Sequence, residues 1–196
     1  MAAGFLYLTQ SGLTAPAEPG ERILIVRELI AHVEHQLRAA RVICAHGTAA
    51  HRDEAAFLVY HVLGLDHEDR EAYTRTVGPG IRREVDALVR ERIATRKPAA
   101  YLLGEAWFAG LQFEVTPEVL IPRSPFAELI GARFAPWFQP GSRPRVIDVG
   151  TGSGCIAVAL AVAFPEAAIV ATDISAAALE VAGRNIRRHG VEHRVS

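Results

Sequence analysis

The chain has 196 residues, of which 50% are hydrophobic and 22% charged, a globular balance that excludes a disordered or collagen-like polypeptide. Its formal net charge of −1 leaves no basic excess for a row of phosphates, which excludes a dedicated nucleic-acid binder. Its two cysteines, Cys44 and Cys155, stand far apart without metal-ligand spacing, which excludes a disulfide scaffold or thiolate zinc site and fits a reducing cytoplasm.

Residues 1–20 carry Gly, Pro, Ser and Thr without periodicity and read as a mobile tail. No Lys or Arg precedes their apolar patch, so no secretory signal is expected. Residues 21–97 read as a helical domain. Ile23, Val26, Ile30, Val33 and Leu37 recur at threes and fours, predicting a helix over 21–42. Asp53 opens a second helix, apolar from Ala55 to Leu65, with Gly64 as its stop. A third, short helix is expected over Glu68 to Thr76. Pro79 precedes a fourth, in which Ile81, Val85, Leu88 and Arg92 share a face, with Ile93 beside them, ending before Pro98.

Residues 98–123 read as a β-hairpin linker. Leu111, Phe113 and Val115 alternate with Gln112, Glu114 and Thr116, the period of a half-buried strand. Trp107 and Phe108 precede it across Ala109-Gly110, and Val119 to Ile121 is expected to add a short third strand. Residues 124–196 read as an α/β domain. Ser124-Pro125 starts a helix with Phe126, Leu129, Ile130 and Phe134 on its apolar face. Beyond a Pro140-Gly141 break come a strand over 145–149, a helix over 154–164, a strand over 168–174, a helix over 175–189 and the start of a third strand. That alternation predicts parallel βαβ units. Cys155 to Phe164, the most apolar stretch, is about half the roughly 20 residues needed to cross a bilayer. A cytoplasmic protein with no membrane partner is the expectation.

The informative stretch is Asp148-Val-Gly150-Thr151-Gly152-Ser153-Gly154-Cys155. Glycines between a strand and a helix allow a sharp turn and close approach of a ligand to exposed N–H groups. Asp173 ends the next strand, 23 residues after Gly150, where a carboxylate offers two oxygens to two ribose hydroxyls. Together these features point to an adenosine-type ligand. The dinucleotide fingerprint wants a glycine where Cys155 stands, and Asp148 disfavours a pyrophosphate while suiting a cation. S-adenosylmethionine, a sulfonium with an α-ammonium group, is therefore preferred over NAD.

The sequence resembles the class I protein-glutamine methyltransferases that act on translation components. The resemblance is carried by Ala100-Tyr-Leu-Leu-Gly-Glu105, Val119-Leu-Ile-Pro-Arg-Ser-Pro125, Asp148 to Ile156, and Asp173-Ile-Ser-Ala-Ala-Ala-Leu179. It implies a helical substrate-recognition domain, a hairpin linker, and the first part of a Rossmann-like methyltransferase domain. Pro122-Arg-Ser-Pro-Phe-Ala-Glu128 with Trp107-Phe-Ala-Gly110 resembles the branch that modifies a large-subunit ribosomal protein. The branch acting on release factors is the alternative. Within the family Gly150, Gly152 and Gly154, with Thr151 and Ser153, shape the cofactor turn, Asp148 senses its positive end, and Asp173 holds its ribose. Trp107 and Phe108 read as hairpin core, while the resemblance alternatively implies that Phe108 lies near the cofactor's methionine end. The family's amide-holding Asn-Pro-Pro-Tyr motif has no counterpart in these residues. They contain no Pro-Pro pair and one asparagine, Asn185, so no catalytic residue is assigned and the 196-residue chain is expected to be silent alone. A rival of another class is a non-catalytic piece that only binds a translation partner.

Other residues have plainer readings. His32 with His35 and His61 with His67 raise a metal site, but no carboxylate or cysteine completes a set in sequence, and no metal is expected. Cys155 reads as a small buried residue and not a nucleophile. Arg123 either pairs with a carboxylate or covers the linker. The first strand of such domains is central, so an unpaired edge is expected here, favouring a dimer or aggregation.

Overall fold

Val26, Leu29, Ile30, Val33 and Leu37 form one buried stripe, and that spacing produces helix α1 (Val26–Ala39), preceded by a two-residue strand β1 (Leu24–Ile25). The computed structural model describes residues 24–44, 50–65, 69–137 and 143–196. The expected tail over 1–20, Ile23, His67 and the Pro140-Gly141 break lie outside them. Glu28 stabilises the start of α1 by accepting a hydrogen bond from the Ile25 N–H at 3.1 Å. The helix stops at Ala39 instead of Val42.

Helix α2 (His51–Leu63) ends where Gly64 takes a left-handed conformation, φ 59°. The short helix expected over 68–76 is a 3-10 turn, Arg70–Thr74, whose start is capped by Asp69 accepting from the Glu71 and Ala72 N–H groups. Thr76 then belongs to strand β2 (Thr76–Val77), which pairs antiparallel with β1. Both β1 and β2 are too short to show a period in sequence. Helix α3 (Pro79–Thr95) buries Val85, Val89 and Arg92, so its inward face includes Val89, while Ile81 and Leu88 lie at its margin.

Pro98 initiates a helix where a break was expected. It precedes α4 (Ala99–Leu103), closed by Gly104 at φ 71°, because proline fits the entry of a helix and not its interior. The hairpin follows as expected: β3 (Glu105–Phe108) and β4 (Leu111–Glu114) pair antiparallel, with Phe108 opposite Leu111 across the positive-φ pair Ala109-Gly110. Val119 to Ile121 forms no strand. Val119 is held by the Tyr101 hydroxyl, which donates to its carbonyl at 2.7 Å, and it buries with Ile121 in the helical core.

The α/β part begins with α5 (Phe126–Gly131), where Ser124 Oγ accepts from the Phe126 N–H at 3.2 Å. Strand β5 (Arg145–Val149), helix α6 (Cys155–Ala163), strand β6 (Ala168–Thr172) and helix α7 (Ala176–Arg188) follow. β5 and β6 are parallel and in register from Arg145–Ala168 to Val149–Thr172. The third strand begins as a parallel bridge from Val195 to Ile169, on the other side of β6.

Two buried clusters organise these elements. One joins α1, α2 and α3 to Val115, Val119 and Ile121, and extends to Ala178 and Val181 of α7. The other gathers Phe108 and Phe113 of the hairpin with Ile130, α6, Ile169 and Ile186. The hairpin thus contributes to both, and the helical core does not stop at residue 97. Arg92 is buried because its Nε donates to Glu54 Oε1 at 2.7 Å and its Nη2 to the Ile43 carbonyl at 3.1 Å. Among the described residues no helix is long and apolar enough to cross a membrane.

Candidate functional site

The turn after β5 is tied to the end of β6. The N–H groups of Gly150 and Thr151 both donate to the Thr172 carbonyl, at 2.8 and 2.9 Å. Gly150, Gly152 and Gly154 all have positive φ. At Gly154 a side chain is disfavoured twice, by the positive φ of 78° and because a Cβ there would lie 3.2 Å from the Cα and Cβ of Ala182 on α7. That close approach seats the N-terminus of α6 against α7.

Two carboxylates flank the turn. Asp148 Oδ2 accepts from the Thr151 hydroxyl at 2.7 Å, and its Oδ1 has no hydrogen-bond partner among the described residues. Asp173 follows β6 directly. Its Oδ2 accepts from the Gly152 N–H and its Oδ1 from the Ser175 N–H, both at 2.9 Å. The Ser175 N–H, then that of Gly152, holds the Asp173 carboxyl below its ordinary value of 3.8. Each carboxylate oxygen has a second lone pair, so Asp173 can still accept two further hydroxyls.

The Thr151 and Ser153 side chains are buried, so these two residues present backbone and not hydroxyl groups to a ligand. Cys155 is buried and its thiol is pushed up by that burial, consistent with a packing residue. Phe108 packs inside the second cluster at 5% exposure. Arg123 is exposed. His32 has a carboxylate neighbour that sequence spacing did not show, Asp86 of α3 at 3.7 Å. Among the described residues no group of three or more His, Cys, Asp or Glu could hold a metal ion.

Two residues were missed in the sequence. Ile174, next to Asp173, is fully exposed; a lone apolar residue directly after a strand-end carboxylate was its only signal. Asn185 is wholly buried and hydrogen-bonds both the hairpin and the turn. Its signal was a single asparagine on the apolar face formed by Ala178, Val181, Ala182 and Ile186.

A parallel α/β unit with a glycine turn between its first strand and helix, and a carboxylate after its second strand, is a Rossmann-like nucleotide-binding arrangement. Residues 133–196 match the family model described as the methyltransferase small domain. Along most of its length the chain is similar to proteins named ribosomal protein uL3 glutamine methyltransferase. It is 42% identical over 178 residues to that of Bordetella pertussis, covering 90% of this chain and 60% of the relative. It is 37% identical over 187 residues to that of Bradyrhizobium diazoefficiens, covering 90% and 58%. The Francisella tularensis protein is 37% identical over 175 residues, covering 87% and 55%. The resemblance read from the sequence is thereby borne out, and the chain spans between 55% and 60% of the length of these three relatives.

Proposed function

We propose that this chain binds S-adenosylmethionine at the Asp148–Gly154 turn and Asp173, within an enzyme that methylates the side-chain amide nitrogen of a glutamine in ribosomal protein uL3. The observation that carries the cofactor reading is the placement of Asp173. It grips the Gly152 N–H while keeping lone pairs for ribose hydroxyls. The donor set fits the ligand. Two carboxylates and backbone groups surround the turn, and the unpartnered Asp148 Oδ1 suits an ammonium. The exposed side chain of Ile174 offers an apolar surface to the purine ring. Gly150, Gly152 and Gly154 let the backbone approach, with Thr151 and Ser153 contributing main-chain groups. Phe108, buried in the same cluster as Cys155, is assigned to the methionine end of the site.

The bound cofactor supplies a sulfonium methyl group; this chain's residues bind and orient it. No residue here is assigned to hold the substrate amide, because Asn185 is fully committed to the Glu114 backbone and the Ser153 carbonyl. The helical part, residues 21–97, is assigned to substrate choice and residues 98–123 to the linker, since a turn serving a cofactor common to many enzymes cannot select one protein. The substrate assignment rests on relatives named for uL3. A uL3 substrate supports a cytoplasmic location.

The test has two arms. Calorimetry on the 196-residue chain with S-adenosylhomocysteine should show one site per chain; no heat of binding rejects the cofactor reading. Labelled methyl transfer by the enzyme at its relatives' full length should mark uL3 and not a release factor. The reverse preference rejects the substrate reading.

A further inference from the structure

We propose that Asn185 is a positioning residue through which the hairpin sets the shape of the cofactor turn; this deepens, and rests on, the assignment of that turn to S-adenosylmethionine. Asn185 has 0% exposure on α7. Its Oδ1 accepts from the Glu114 N–H at 2.8 Å, and its Nδ2 donates to the Glu114 carbonyl at 2.9 Å. The side-chain amide therefore pairs with both backbone groups of one hairpin residue, as a neighbouring strand would. Its second N–H donates to the Ser153 carbonyl at 2.8 Å. That carbonyl belongs to the peptide entering Gly154, the residue packed on Ala182 one helical turn earlier on α7.

The rest of α7 reinforces the same line of contact. Arg184 Nε donates to Glu114 Oε1 at 2.8 Å, Arg188 Nη2 to Gln112 Oε1 at 2.5 Å, and His189 Nε2 meets the Gln112 carbonyl at 2.8 Å. On the far side of the hairpin, Glu105 Oε1 meets His61 Nδ1 of α2 at 2.8 Å, and Gln112 donates to Glu105 Oε2. A continuous chain of polar contacts thus runs from α2 through the hairpin and α7 to the turn. Among the described residues, Asn185 makes the last link, to the Ser153 carbonyl. Its loss leaves the buried Ser153 carbonyl and the part-buried N–H and carbonyl of Glu114 without this partner, and the turn is freed from the hairpin's register.

The experiment compares the wild-type 196-residue chain with Asn185→Ala, and with Asn185→Ser as a milder variant that keeps one donor and one acceptor. Leu58→Ala in the core of α2 serves as a control for lost stability alone. S-adenosylhomocysteine affinity should fall about tenfold or more in Asn185→Ala, and in Leu58→Ala by much less for a comparable drop in Tm. Amide exchange supplies the second readout. Ligand should slow exchange at Glu114 as well as at residues 150–155 in the wild type, and at 150–155 only in the Asn185 variants. A variant that loses Tm but keeps both affinity and the Glu114 response overturns the proposal. If the wild type binds no ligand, the cofactor assignment falls by itself, and ligand-free exchange decides the link. Glu114 and Gly154 should then speed up together in the variants, and unchanged exchange at either overturns it.

Discussion

The Gly152 N–H donates to Asp173 Oδ2 at 2.9 Å across the switch from β5 to β6. One carboxylate therefore both shapes the glycine turn and faces the space a ribose would fill. Asp173→Ala removes two roles at once. Two charge-assisted hydrogen bonds of about 1.5–3 kcal/mol each imply at least about a tenfold loss of S-adenosylhomocysteine affinity. Calorimetry checks this, and unchanged affinity removes Asp173 from the ribose role.

The same contacts set a pH dependence. Backbone donors from Ser175 and Gly152 lower the folded-state value of Asp173 below 3.8. The unfolded chain binds that proton more readily, so the stabilisation is complete above the ordinary carboxylate range and is lost as pH falls through the lowered value. A carboxyl-carbon NMR titration should place the Asp173 midpoint below 3.8. Asp173→Asn should flatten the acid-side loss of amide protection at Gly152 and Ser175. A midpoint at or above the ordinary value contradicts the geometry.

Much of this site was legible in the chain because its parts are close in sequence. Gly150, Gly152 and Gly154 sit between a strand and a helix, and Asp173 closes the next strand, so local order alone places them together. Asn185 was not legible, since its partners Glu114 and Ser153 are 71 and 32 residues away and only the packing of α7 brings them in. Arg92 was legible as part of an inward face, but not its reason for being there, Glu54 of another helix. The helix Ala99–Leu103 was hidden because Pro98 can either end or begin a helix, and no local period over five residues decides which.

In the helical core, Arg92 and Glu54 form an ion pair at 2.7 Å with side chains 2% and 4% exposed. Glu54→Ala leaves a buried guanidinium without its carboxylate and should cost about 3–5 kcal/mol. Replacing both residues by leucine and methionine should restore most of that. Denaturant unfolding measures both. Nearby, burial first and then the Glu54 charge push the Cys44 thiol up to about 12. Cys44 should therefore resist alkylation at pH 8, and more readily react in Glu54→Gln.

Gly154→Ala should destabilise the turn for two separable reasons. At φ 78° an alanine costs about 1–3 kcal/mol of backbone strain, and its Cβ would meet Ala182 at 3.2 Å. Adding Ala182→Gly removes the side-chain contact but neither the strain nor the contact with the residue 182 Cα. The double variant should thus recover part, and not all, of the lost Tm and cofactor affinity. Full recovery would show that backbone strain at Gly154 is negligible.

The final prediction concerns the sheet. Among the described residues β5 pairs only with β6, and its other edge carries no strand. The apolar side chains on one face are bare: Ile147 is 68% exposed, Val149 80% and Val170 44%. An open row of N–H and C=O groups beside an apolar face is a template for pairing with another chain. The 196-residue chain should therefore self-associate with rising concentration, and sedimentation velocity should detect it. Ile147→Lys places a charge on that face without touching the turn or Asp173, so it should shift the chain toward monomer while leaving cofactor affinity in place. The edge-facing amides of β5, which do not point at β6, should exchange quickly in the dilute monomer and slow down on association, while those of α1 and α2, whose stripes are buried, stay protected throughout. A wild-type chain that remains monomeric at high concentration, with β5 as protected as α1, would show that this edge is covered from within.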